Sequence, residues 1–170
     1  MKKLILSTAL LLGISSANIS AGKLYNAVEN GNLEEVIRLV TNGAEVNTKQ
    51  KFLQDTPLHI AAINGRLDIV KFLKKNEAEI DAKNIGGSTP LHSAAYYGRL
   101  DVVKFLAKNG ANIYAKDDTG NDPIHLAAWE DHLDIVKFLA VYYTSASQKK
   151  LLFWCKNKKS LNKRLYNITT

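Results

Sequence analysis

Apolar positions in the middle of this chain fall into two short alternating blocks. One holds Leu58, Ile60, Ala61, Ala62 and Ile63; the other holds Leu67, Ile69, Val70, Phe72 and Leu73, with the polar break Asn64, Gly65, Arg66 between them. The second block places its large residues on one face of a helix. The same paired pattern over residues 58–73 returns over 91–106 and 124–139, each time displaced by 33 residues. A tetrapeptide marks every start: Thr56, Pro57, Leu58, His59, then Thr89, Pro90, Leu91, His92, then Asp122, Pro123, Ile124, His125. Thr56 is suited to cap a helix, and Pro57 to its first position, where the missing N–H would be unpaired anyway. A first helix to about Asn64 is predicted, then a turn at Gly65 or Gly98, where a residue without a side chain tolerates positive φ. A second helix begins near Leu67, with Asp68 in its first turn and Lys74 and Lys75 in its last. Gly43 and Gly110 end the corresponding helices.

Residues 24–33 form a degenerate first unit. It lacks Thr-Pro but keeps Ala27, Gly31 and Leu33, and its Glu29 and Asn32 fit a more polar N-terminal cap. From Gly31 to Gly65 is 34 residues, which places one inserted residue around 50–53. Two glycines are replaced: Glu77 stands after Asn76, and Asp131 stands at the turn. Asp enters left-handed backbone more readily than Glu, so strain or reshaping is expected at Glu77. The fourth unit loses its Asn-Gly-Ala ending, and Val141, Tyr142 and Tyr143 lead directly into the tail.

The fixed period, the Thr-Pro-Leu-His string and the extended match beside it resemble the ankyrin-repeat family. The resemblance implies an all-α solenoid of stacked helix-turn-helix units with β-hairpin-like fingers, here in units of about 22–54, 55–87, 88–120 and 121–142. The paired alanines at 61–62, 94–95 and 127–128 let first helices of neighbouring units approach closely, while Ile69, Val70 and Leu73 bury against second helices. Thr56, Pro57, His59, Gly65, Thr89, Pro90, His92, Gly98, Asp122, Pro123 and His125 then form the structural motif. In the family the histidine bonds between neighbouring units and tightens the turn.

Charge is unevenly placed. The net charge is +7, yet residues 144–170 alone hold seven basic residues and no acid. Residues 18–143 hold 14 basic and 16 acidic residues, so the repeat body has no electrostatic claim on nucleic acid. Lys2 and Lys3, an apolar run over 4–14 and the small residues Ser15 and Ala17 read as an export signal over 1–17, with cleavage after Ala21 (signal 1–21) as the second choice. The competing reading is an uncleaved anchor, but eleven apolar residues fall short of the roughly 20 that span a bilayer. A secreted or periplasmic protein is expected. The Lys-, Asn- and Ile-rich composition points to a bacterial source, which would make Asn167, Ile168 and Thr169 an accidental glycosylation sequon. The lone Cys155 admits no intramolecular disulfide.

Chemistry has little foothold. His132 has no cysteine or paired histidine at ligand spacing, no nucleophile motif is present, and Gly86 and Gly87 lack the surroundings of a phosphate loop. No enzyme, cofactor or metal site is expected. Binding is the stronger reading, because family partners dock on finger tips and the exposed side of first helices. The positions before the turn glycine read Ile63 and Asn64, Tyr96 and Tyr97, Trp129 and Glu130. The tips contribute Phe52 and Leu53, Ile85, and Asp118 and Thr119. Tyr and Trp suit interfaces because they bury large area and keep a polar handle. The alternative is that Trp129 and one tyrosine pack between repeats as core. In the basic tail, 143–170, Trp154, Leu161, Leu165 and Ile168 share one stripe of a helix. It admits three readings: a C-terminal cap, a disordered tail, or a tether to an anionic membrane or acidic partner. The expected function is a non-enzymatic, monomeric protein-binding module, exported and suited to act as an effector, with the tail tether as the alternative.

Overall fold

A computed structural model describes residues 16–143 of the 170. The segment up to residue 15, with most of the expected export signal, and the tail from residue 144, with Cys155, the sequon and the expected amphipathic stripe, lie outside the described residues. Within them are eight helices and no strand. They pair as α1 (Ser16–Glu29) with α2 (Leu33–Thr41), α3 (Pro57–Ile63) with α4 (Leu67–Lys75), α5 (Pro90–Tyr96) with α6 (Leu100–Lys108), and α7 (Pro123–Trp129) with α8 (Leu133–Ala140). The first helices stack on one another as an inner row and the second helices as an outer row. None of the described helices is long and apolar enough to cross a membrane.

Each inner helix starts as its sequence dictates. Thr56 and Thr89 sit in extended backbone, and their hydroxyls accept the N–H of His59 and His92. Each histidine answers by accepting the threonine N–H at Nδ1, which closes a reciprocal cap. The alanine pairs are fully or almost fully buried between inner helices, where a larger side chain would separate the rows. Ile69, Val70, Leu73, Val102, Val103 and Leu106 fill the layer between inner and outer helices.

The first unit departs from this pattern at its start. Its inner helix has 14 residues where the others have seven, and both expected cleavage positions, after Ala17 and after Ala21, fall within it. The packed residues Leu24, Tyr25, Ala27 and Val28 lie downstream of either position. Tyr25 then reaches the first finger, donating to the carbonyls of Thr48 at 2.6 Å and Asp55 at 2.9 Å. Asn32 caps α2 by accepting the N–H of Glu35.

The fingers are hairpin-like turns closed by Asn84 N–H to Ser88 and Asp117 N–H to Asn121. The first finger carries the inserted residue: Gln50 N–H bonds Asp55, one residue further on, and Gln54 N–H bonds Gln50. Gln54 therefore takes the place of Gly87 and Gly120, with a φ of 56° beside their 70° and 82°. Glu77 keeps the backbone of the glycine it replaces, at φ 65°, and Ala78 N–H still bonds back to Leu73. The helix end is strained and not reshaped. Replacing Glu77 by Gly should raise stability by about 0.5–1 kcal/mol, the left-handed penalty less the added freedom of the unfolded chain. Glu77→Ala keeps the penalty and should give no such gain in a urea melt.

Candidate functional site

Three ladders hold the exposed faces in place. On the fingers, Ile85 N–H bonds the Leu53 carbonyl at 2.9 Å and Asp118 N–H bonds the Gly86 carbonyl at 3.0 Å. Lys49 and Lys83 each donate to the carbonyl of the corresponding lysine one unit on, Lys83 and Lys116, and Lys116 ends the series on the Asp122 carboxylate. At the opposite edge, Arg99 Nε donates to the Ile63 carbonyl at 2.8 Å, and His132 Nε2 donates to the Tyr96 carbonyl at 2.9 Å. These side chains lie over the turn glycines of the preceding unit. A Cβ on Gly98 would come within 2.5 Å of His132, so that glycine is needed for close approach as well as for its φ of 70°. His132, placed outward by its repeat position, is thus a stitch between units three and four.

Between fingers and inner helices runs a cleft of about 340 Å³. Leu53, Ile63, Tyr96 and Tyr97 form its apolar walls; Asp55, Asn84, Ser88, Ser93 and Asp117 supply polar groups. Asp55 accepts Asn84 Nδ2 at 2.8 Å. Asp117 Oδ1 takes three donors, the N–H and hydroxyl of Thr119 and the N–H of Asn121. Burial pushes the Asp117 carboxyl up, but these hydrogen bonds outweigh it and hold the group below the usual carboxylate range.

The aromatic ridge is on the surface. Tyr96 is 40% exposed, Tyr97 48% and Trp129 57%, so none of the three packs as core. Tyr96 and Tyr97 meet edge to face, with ring centroids 5.1 Å apart. Phe52, Leu53, Ile85, Asp118 and Thr119 are exposed at the finger tips, and Glu130 is exposed at the end of α7. Ile63 and Asn64 are half-buried, and Asn64 turns its amide back onto the Ile60 carbonyl. Thr119 is occupied structurally, since its hydroxyl donates to Asp117 and accepts from Asn121. The cleft carboxylates Asp55 and Asp117 are absent from the sequence-based set. Their only sequence signal is position: Asp55 directly precedes the Thr-Pro start, and Asp117 opens the finger turn four residues before Asn121.

Residues 24–117 match the family described as ankyrin repeats (3 copies), and residues 119–147 match a single ankyrin repeat. The chain belongs to the ankyrin-repeat family. It is 42% identical over 72 residues to a palmitoyltransferase from Debaryomyces hansenii, spanning 41% of this chain and 9% of that protein. Over 64 residues it is 42% identical to protein phosphatase 1 regulatory subunit 27 of Homo sapiens and of Mus musculus, spanning 38% of this chain and 41% of each relative. The chain thus covers less than half the length of these relatives.

Within the ankyrin units the histidines divide into two chemical types. His59 and His92 accept at Nδ1 and donate from Nε2 to the carbonyls of Ser88 and Asn121 in the next unit, at 3.0 and 3.1 Å. That requires the neutral ring with its proton on Nε2. In the fourth ankyrin unit Asp122 replaces the threonine. A carboxylate only accepts, so His125 must carry its proton on Nδ1 to bond it. Burial pushes the Asp122 carboxyl up, but the hydrogen bonds from His125 and Lys116 prevail and hold it far below the usual range. Tyr143 packs nearby, edge to face on Tyr114 at 5.0 Å, with its hydroxyl on the Ile113 carbonyl at 3.3 Å. Burial and the Asp122 charge push that phenol well up. These tyrosines cover the fourth unit where the usual ending is missing. Among the described residues, no group of three or more His, Cys, Asp or Glu could hold a metal ion.

Burial lowers the pKa of His59 and His92 below the ordinary 6.5. The unfolded chain then takes up protons before the folded one does, so the contribution is complete above pH 6.5 and shrinks as pH falls below it. Asp122, depressed from 3.8, adds a loss only at still lower pH. Melting temperature should fall between pH 7 and pH 5, and the fall should flatten in a His59→Gln/His92→Gln variant. An unchanged slope would remove the buried histidines as its cause.

Proposed function

We propose that this ankyrin array is a protein-docking module that works through its cleft, its finger tips and the aromatic edge of its inner helices. The observation that carries the reading is the exposure of Tyr96, Tyr97, Phe52, Leu53 and Ile85 on one side of the array. Exposed large apolar side chains clustered on a rigid scaffold are interaction surface by default, and tyrosine is prominent among interface hot spots. The mean charge of the repeat body is close to neutral, so shape and local polarity select the partner, not bulk attraction. The regulatory-subunit relatives are consistent with a module that acts through another protein. The cleft's histidine, His92, is committed at both ring nitrogens, accepting the Thr89 N–H and donating to the Asn121 carbonyl, so it is not placed to serve as a base for Ser88 or Ser93.

The N-terminal pattern supports an exported protein, delivered outside the cytoplasm of a bacterial cell to act as an effector on a partner protein. N-terminal sequencing of the protein from the medium or periplasm of a secreting bacterium tests this. It should begin near Asn18 or Gly22, and an intact Met1 would count against export.

For the docking face, Tyr96→Ser/Tyr97→Ser is the direct probe. Both rings stand on the surface, so the change should alter stability by no more than about 0.5 kcal/mol each. Proteins captured by the unaltered chain should be lost at least tenfold from captures with the variant. Equal capture by both chains would move the docking surface elsewhere.

A further inference from the structure

The polar groups of the cleft narrow the kind of partner it fits. Its lining contains two carboxylates, Asp55 and Asp117, and no Lys or Arg. Of the lysines in the adjoining fingers, Lys49 and Lys83 donate to carbonyls of the next finger, Lys116 donates to Asp122, and Lys51 lies over the Phe52 ring with its Nζ 5.9 Å from the centroid. Asp117 has its Oδ1 filled by three donors from its own finger, a fixed anchor that keeps the group in one orientation. Asp55 is 4% exposed and is oriented by Asn84. Beside these acids stand the rings of Tyr96 and Tyr97, and around them Ser88, Ser93 and Asn84.

Fixed carboxylates next to aromatic rings in a partly enclosed cleft are complementary to a planar, weakly hydrated cation. Arginine meets that description better than lysine, since its guanidinium stacks on rings and offers several donors in one plane. The serine and asparagine groups suit the peptide backbone on either side. We infer that the cleft between Asp55, Asp117, Tyr96 and Tyr97 receives an arginine side chain from an extended segment of the partner protein. This rests on the docking reading above and adds the chemistry of what docks.

A random peptide library displayed on phage and selected on the full-length protein provides the test. Selected peptides should share an arginine at a fixed position. Replacing that arginine by citrulline, which keeps the shape and removes the charge, should weaken binding at least tenfold in calorimetry. Asp117→Asn retains the Oδ1 acceptor of the finger turn and should weaken binding of the arginine peptide by a similar factor; Asp55→Asn is the second variant should the first fail to fold. Peptides that lose binding to Tyr96→Ser/Tyr97→Ser but carry no basic residue would overturn the arginine inference and leave the docking face standing. Peptides indifferent to the tyrosine change, or no enrichment at all, would sink both. A nitroxide on Cys155, the sole cysteine, checks for the chain's own basic tail. Broadening of the amides of Ser93 and Tyr96 without peptide would make the tail the occupant. Broadening that grows with protein concentration would make it a second copy; either result would overturn the assignment to a partner.

Discussion

A helix pair of this size cannot hide both of its faces by itself, and the contact between successive inner helices is what the remaining structure hangs on. The buried alanines, Ala61, Ala62, Ala94, Ala95, Ala127 and Ala128, set that contact by letting neighbouring backbones come close. Once the helices are that near, the histidine rings can reach the next unit's carbonyl and the lysines the next finger. A bulkier residue at any of these positions would therefore do more than disturb local packing. It would move every donor on one unit away from its acceptor on the next.

How far the residues alone foretold this structure follows from where each interaction's partner sits. The caps at Thr56 and Thr89 were legible because a threonine just before the first-turn proline supplies a side-chain acceptor to a backbone N–H only three residues on. The insertion near residue 50 and the left-handed positions Glu77 and Asp131 could likewise be placed, since a constant period exposes any departure from it. The ladders were not legible in the same way. Arg99 finds Ile63 and Asn84 finds Asp55 across 36 and 29 residues, and in the first case the acceptor is a backbone carbonyl that leaves no trace in the sequence.

The surface follows the same division. The tip and ridge residues could be named from their repeat positions, and exposure then separates Tyr96, Tyr97 and Trp129 from the core. The cleft acids escaped notice because acids within a finger read as turn formers. Only the folded arrangement sets Asp55 from one finger and Asp117 from another around the same opening, beside tyrosines from an inner helix. The stitch made by His132 was illegible for a related reason: its repeat position points away from the core, and the carbonyl its ring finds lies one unit back.

The bonds between units also have a direction. His59 and His92 through Nε2, and Lys49 and Lys83 through Nζ, reach toward the C-terminal neighbour, whereas Arg99 and His132 reach back toward the N-terminal one. A middle unit is therefore self-complementary: what it offers on one side is what it requires on the other. A copy of residues 88–120 inserted in frame beside the original would find the backbone carbonyl acceptors of these bonds already waiting, while the long α1 and the Asp122 unit with its tyrosines belong to the ends they occupy. The array is built to lengthen from within, and each added unit would bring one more finger and one more pair of variable surface positions to the same continuous face.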